Sequence, residues 1–293
     1  MCIRLFFAQY DTSTIKTSRA AVRTSGRLLL AISLLGTGID AAFAQFTPPG
    51  VSRARTSGWV AVGFTQTISP RWAVSGYTGT SGQSTLDTYV FWKKRAISIV
   101  ENEWTYTASK HWQVSLAGSL RFQNEYEDTP PYSPDEPAVR TELRAFTRIM
   151  YRHSEGSRLK WTHTLRPEYR RFFTPDWQPW PSPVQLRLRV GSRVSYALNA
   201  NNTTQLILNN ELLFSLNRVQ DSSPGSLTWS PFKLNEDRLS MFIRRVIKKP
   251  AVNVDAGLMH QFWWDNSSCQ IRYSTYFALG LQFRDPIKKQ NSK

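Results

Sequence analysis

Along residues 184–198, VQLRLRVGSRVSYAL, apolar and polar side chains change places at nearly every step. Val184, Leu186, Leu188, Val190, Val194, Tyr196 and Leu198 share one parity; Gln185, Arg187, Arg189, Arg193 and Ser195 share the other. Successive side chains of a strand point to opposite faces, so a period of two predicts a β-strand with one apolar and one charged face. The same alternation returns in other segments. Trp112, Val114, Leu116, Leu120 and Phe122 alternate with Gln113, Ser115, Ser119 and Arg121. Val139, Leu143, Ala145, Ile149 and Tyr151 alternate with Arg140, Glu142, Arg144, Arg148 and Arg152. Leu159, Trp161, Leu165 and Tyr169 alternate with Lys160, Thr162, Thr164, Arg166, Glu168 and Arg170.

The pattern predicts about twelve strands: 57–67, 71–79, 87–94, 96–108, 112–127, 138–153, 157–173, 184–199, 203–217, 238–248, 251–264 and 268–284. Many exceed the roughly 9–11 residues with which a tilted strand crosses a bilayer. No segment has a convincing helical period. Residues 87–108 read as one strand or two, and an even strand number favours two. The connections DTPPYSPDEPA, TPDWQPWPSP and 218–237 are long, whereas SKH, SEG, NANN and KKPA are tight. Long and short connections alternate from about residue 109 onward, as in a barrel with short periplasmic turns and longer outer loops. Trp59, Trp72, Trp92, Trp104, Trp112, Tyr126, Tyr151, Tyr196, Trp263 and Trp264 fall near predicted strand ends, where an interfacial aromatic girdle sits. The fold expected is all-β: an antiparallel up-and-down transmembrane β-barrel over residues 45–293.

The N-terminus agrees with export. Arg19, Arg23 and Arg27 precede an apolar stretch that begins at Leu28 and ends on Ala42-Phe43-Ala44. This is the layout of a secretory signal peptide over residues 1–44, cleaved before Gln45. A membrane anchor fits less well, because Gly36, Gly38 and Asp40 interrupt a stretch that is already short. Export without a helical span leaves a periplasmic, secreted or outer-membrane protein, and the alternation selects the outer membrane of a Gram-negative bacterium. Its surroundings would be outer-membrane lipids and lipopolysaccharide. Cys269 is the only cysteine left after cleavage, so neither an intramolecular disulfide nor a cysteine metal motif is expected, and no cofactor.

Charge then changes the picture. The formal net charge is +16, a value that elsewhere suggests nucleic acid. Here the arginines sit singly inside strand alternation and nucleic-acid-binding motifs are missing, so nucleic acid is not an expected partner. On the barrel reading the apolar parity faces lipid, where an arginine at the midplane costs about 2–4 kcal/mol. The other parity faces the lumen. It carries Arg121, Arg140, Arg144, Arg148, Arg152, Arg166, Arg170, Arg187, Arg189, Arg193, Arg238, Arg244 and Arg272, with Glu101, Glu103, Glu142, Glu168, Glu211 and Asp255 as acidic partners.

Five stretches in order carry a resemblance: LKWTHTLRPEYRRF, VQLRLRVGSRVSYAL, LNNELLFSLN, NEDRLSMFIRRVIKKPAVNVDAGLMHQF and a closing apolar strand. The chain resembles the bacterial family called domain of unknown function 2490, over roughly residues 157–284. The resemblance implies an outer-membrane barrel and no particular activity. Outer-membrane barrels commonly end on an aromatic that the barrel assembly machinery reads. Here Phe283 is followed by RDPIKKQNSK, a departure from that ending.

Three functions are expected to compete. In the first, the arginine-rich lumen is mainly structural, an Arg–Glu network that holds the barrel together. In the second, the basic wall makes an anion-preferring channel for small acidic solutes or oligomers, since rings of Arg or Lys select anions. The third is an outer-membrane lipid-modifying enzyme, which needs a Ser/His pair at the lipid face with a third group to orient the base. His153-Ser154-Glu155-Gly156 has the residue types but reads as a tight turn, and His163 and His260 lie on the lipid parity. No catalytic or metal residue is therefore assigned.

Overall fold

The computed structural model describes residues 48, 54–127, 129–156, 158–220, 226–265 and 270–287. Residues 1–44, expected to be a signal peptide, and Cys269 lie outside the described residues. The described chain forms β1 (Thr56–Thr67), β2 (Trp72–Gln83), β3 (Lys94–Thr107), β4 (Trp112–Tyr126), β5 (Pro134–Glu155), β6 (Leu159–Phe173), β7 (Pro179–Ala197), β8 (Thr204–Gln220), β9 (Leu227–Trp229), β10 (Lys233–Ile247), β11 (Val252–Asp265) and β12 (Gln270–Arg284). Neighbours pair antiparallel from β1 to β8 and from β10 to β12, and β8 pairs with β10. β12 returns to β1, so eleven strands close a barrel. The short β9 pairs only with the end of β8, outside the ring.

The strand count near twelve is as the alternation predicts, but closure differs in one respect. An even number of alternating strands would close antiparallel; eleven bring β12 alongside β1 in parallel, with Thr56 opposite Thr275 and Thr65 opposite Arg284. The missing wall strand is the one expected over 87–94. Residues 84–93 form an irregular segment between β2 and β3. Its apolar residues Val90, Phe91 and Trp92 are consecutive, a spacing that no single strand face can use.

Alternation puts all long connections at one end, the loop end, and the turns 68–71, 108–111, 156–158, 198–203 and 248–251 at the other. The turns follow local chemistry. Ser69 Oγ accepts the Trp72 amide at 3.1 Å, and Ser109 Oγ accepts the Trp112 amide at 3.2 Å. Asn199 Oδ1 accepts the Thr203 amide at 2.9 Å, and Gly156 supplies a φ of 64°. Two of the expected long loops are shorter than they looked. β5 starts at Pro134 and β7 at Pro179, because the strands run on past the predicted boundaries.

The two parities separate as expected. Leu116, Val190, Leu239, Met241, Phe277 and Leu279 are exposed on the outward face. Around the turn end an aromatic belt is also outward: Trp72, Trp104, Trp112 and Tyr196 are exposed, and the rings of Trp72–Tyr106 and Trp112–Tyr151 are each 5.0 Å apart. Trp59 does not belong to this belt. It lies on the lumen parity with 1% of its surface exposed. The cause is Gly79, which stands opposite Ala61 two residues along β1 and lies under the indole: an added Cβ there would sit 2.3 Å from the Trp59 ring, and glycine leaves the space that the indole fills.

This contact predicts a stability difference. Gly79→Val should destabilise the barrel by about 1–3 kcal/mol through overpacking against Trp59. Gly118→Ala, whose new Cβ would meet only the Arg144 carbonyl at 3.8 Å, should change stability by under about 0.5 kcal/mol. Urea unfolding of the two variants in the same detergent checks the difference.

Candidate functional site: the charged lumen

A strand that alternates Leu with Arg must send every guanidinium to the same side, and a closed sheet makes that side an interior. The register then decides which charges meet. In β5 and β6, Arg144 stands opposite Arg170 and Glu142 opposite Phe172. Glu142 is therefore within reach of arginines from three strands. It accepts Arg144 Nε at 2.8 Å and Arg170 Nε and Nη2 at 2.7 Å each, and Arg121 Nη1 from β4 lies 3.7 Å away.

Glu168 repeats the arrangement one step around the wall, between Arg166 Nε at 2.7 Å and Arg189 Nε at 2.8 Å. Arg189 reaches on to Glu211 at 3.2 Å, and Arg238 approaches Glu211 from the far side at 3.8 Å. Arg244 holds Asp255 in a two-pronged pair, with both contacts at 2.7 Å. Arg148 meets Glu103 at 3.4 Å, and Arg166 lies 3.8 Å from Glu101. Ser115 donates to Glu103, and Tyr77 OH donates to Glu101 at 3.5 Å. The Arg166 guanidinium also lies 3.5 Å from the centre of the Phe146 ring, a cation–π contact.

Of the sequence-derived arginines, Arg121, Arg144, Arg166, Arg170, Arg189, Arg238 and Arg244 are buried in the lumen. Arg140, Arg148, Arg152, Arg187 and Arg193 are half-buried on the same parity. Arg152 donates to Gln113, and Arg193 lies near Ser195. Arg272 is exposed at the loop end. Glu101, Glu103, Glu142, Glu168 and Asp255 are buried. Glu211 is half-buried.

Two acids belong to this set that the sequence reading left out. Glu236 binds Arg238 at 2.6 Å, lies 3.6 Å from Arg187, and accepts Gln261 Nε2 at 2.8 Å. Glu125 binds Arg140 at 3.0 Å. Each shares parity with its strand's arginine, so the signal was present. Glu236 was missed because 218–237 read as loop, whereas β10 begins at Lys233.

Charge does not line the whole interior. The lumen positions of β1 and β2 carry Ser57, Trp59, Ala61, Gly63, Thr65, Ala73, Ser75, Tyr77, Gly79, Ser81 and Gln83, none of them ionised at neutral pH. In β12 the lumen positions inside Arg272 are Ser274, Tyr276, Ala278, Gly280 and Gln282. Over these small residues lies an apolar cluster of Trp59, Ala61, Ile99, Ile207, Phe242 and Ala278, with Tyr77 packed against it. Ile99 on β3 and Ile207 on β8 stand on opposite sides of the ring, so the cluster spans the lumen.

The hydrolase residue types do not assemble into a triad. His153, Ser154 and Glu155 finish β5, and Gly156 is in the turn. On the outward face His163 Nδ1 does lie 3.2 Å from Ser192 Oγ. Its ring is flanked by the stacked His153 and Trp161, and among the described residues no carboxylate or amide is seen to orient it. His260 and Thr275 repeat the geometry at 3.2 Å with a threonine, as cross-strand pairs on one face do.

A family model with the description Protein of unknown function (DUF2490) matches residues 56–272. The match extends the resemblance seen over residues 157–284 back to the first strand. No curated protein matches the chain.

Glu142 gives the network its sharpest test. Glu142→Ala would leave the Arg121, Arg144 and Arg170 guanidinium groups buried around an empty position. Breaking one buried pair costs about 3–5 kcal/mol, and at least that loss is expected in detergent unfolding. Glu125→Ala, at the more open Arg140 pair, should cost under about 1 kcal/mol.

Proposed function

We propose that this chain, which belongs to the DUF2490 family, is an outer-membrane barrel whose arginine-rich lumen is a structural network and not an open anion path. The observation that carries this reading is the apolar cluster across the lumen. Ile99 and Ile207 come from opposite walls, and Trp59 and Phe242 fill the space between them. A hydrated anion would have to displace these side chains. The arginines beside the cluster are turned toward carboxylates rather than toward an open path. Each of Glu142, Glu168, Glu211 and Glu236 serves two or more guanidinium groups. Sharing of this kind lowers the cost of burying more arginines than acids, because each cation stays within reach of a carboxylate.

Membrane residence rests on the outward face. A wall of exposed Leu, Val, Ile and Phe with a belt of exposed tryptophan at the turn end suits a bilayer and its interface. A closed barrel also satisfies the backbone without water. The family's own description gives no activity, and among the described residues no third group orients the Ser192–His163 pair as a hydrolase needs.

The test is reconstitution into planar bilayers under a KCl gradient. The purified protein should insert from detergent and pass no steady current, whereas Trp59→Ala combined with Phe242→Ala should raise conductance. A wild-type pore with an anion-side reversal potential would replace this reading with the channel. A protein that stays monomeric in buffer without detergent would remove the membrane assignment altogether.

A further inference from the structure

The β1–β12 junction differs from the other seams of the barrel. It is the parallel one, and parallel ladders are slightly weaker per residue. Its lumen side carries mostly small uncharged residues, so the buried ion pairs that tie β4 to β8 and β10 to β11 do not cross it. Each end of the junction is instead crossed by a segment that is not a barrel strand.

At the loop end the segment is 84–93. Ser84 Oγ accepts the Arg55 and Thr56 amides at 3.2 and 3.1 Å, and the Ser84 amide donates to the Thr56 carbonyl at 2.9 Å. Thr56 Oγ1 donates to the Tyr89 carbonyl at 2.8 Å. Phe91 and Trp92 then pack on the outward face over Gly58 of β1 and Gly82 of β2. A Cβ on Gly58 would sit 2.6 Å from Phe91 and 2.7 Å from Trp92, and one on Gly82 would sit 2.4 Å from Trp92. The Phe91 ring continues over β12, 5.4 Å from the Phe277 ring. The segment therefore covers β2, β1 and β12 together, and glycines form the seat for its aromatics.

At the turn end the segment is the start of the C-terminal tail. The Asp285 amide donates to the Thr65 carbonyl at 2.7 Å, and Asp285 Oδ1 accepts the Thr67 amide at 2.7 Å. The Ile287 amide donates to Gln66 Oε1 at 3.0 Å, and inside the lumen Gln282 Nε2 donates to Thr65 Oγ1 at 2.9 Å. Asp285 and Ile287, which follow the last strand, thus bind the end of the first.

We infer that the β1–β12 junction is the opening line of the barrel wall, held by two separate latches: an aromatic strap, 84–93, at the loop end and a hydrogen-bonded tail around Asp285 at the turn end. Release of either latch frees its own half of the junction while the ion-paired wall opposite stays closed. This makes a lateral opening between lumen and bilayer, and it holds whether or not the lumen conducts along its axis.

Hydrogen–deuterium exchange of the full mature chain in micelles tests this end by end. Phe91→Ser with Trp92→Ser should speed exchange of residues 56–60 and 275–279 at least tenfold and leave 62–66 and 281–284 unchanged. Asp285→Ala should do the reverse. Strands β6 and β7 should remain protected in both variants, which separates local opening from failure to fold. Should the strap variant not fold, Gly58→Ala keeps every strap residue but displaces Phe91 and Trp92, and should give the loop-end pattern more weakly. Equal acceleration at both ends in each variant, or no acceleration at either end in folded protein, overturns the two-latch assignment.

Discussion

A sheet that closes on itself leaves no edge, and that single constraint organises the rest of this molecule. Closure divides every strand into a face turned out and a face turned in, and it forces the two sets of side chains apart by parity. It also demands that the first strand meet the last. With eleven strands in the ring the meeting is parallel, between β1 and β12. The junction has less support from its ladder than its neighbours have, and the segments 84–93 and 285–287 are gathered to it.

The interior answers to a second constraint, the cost of burying charge. Long arginine side chains from β4 to β7 and from β10 reach inward and converge on a few carboxylates, of which Glu142 and Glu168 are the most enclosed. The opposite wall leaves room for them with Ala61, Gly63, Gly79, Ala278 and Gly280. Large side chains against small ones fill the cross-section, as close packing requires. The apolar cluster around Trp59 occupies the boundary between the two sectors. Bulk and charge on one side and small neutral residues on the other are thus one arrangement, and it gives the uncharged side its separate means of closure.

Much of this was legible in the sequence. The period of two in 184–198 fixed the face of Arg187, Arg189 and Arg193, because strand side chains have no third direction. The tight turns were legible as well, since Ser69, Ser109 and Asn199 act on amides two to five residues away. What escaped was set by residues distant along the chain. Trp59 reads as an interfacial tryptophan until Gly79 of the neighbouring strand is placed under its ring. Residues 87–94 are as apolar as a strand, and only Gly58 and Gly82 explain why they lie across the wall instead of in it. Glu236 was hidden by a strand boundary, a position that pattern reading locates least well. The direction of the closing pair depends on the total strand count, so one misplaced strand reverses it.

The parallel junction is the claim on which the account turns, and disulfide trapping tests it directly. Val60 faces Leu279, and Phe64 faces Phe283, all on the outward side of the wall. Neighbouring strands lie about 4.8 Å apart, within disulfide reach. With Cys269 replaced by Ser, the pairs Val60→Cys/Leu279→Cys and Phe64→Cys/Phe283→Cys should both oxidise in folded protein, and Phe64→Cys/Thr275→Cys should not. An antiparallel closure through the same Val60–Leu279 contact would bring residue 64 to residue 275. Oxidation of that third pair, with Phe64→Cys/Phe283→Cys left reduced, would contradict the eleven-stranded barrel.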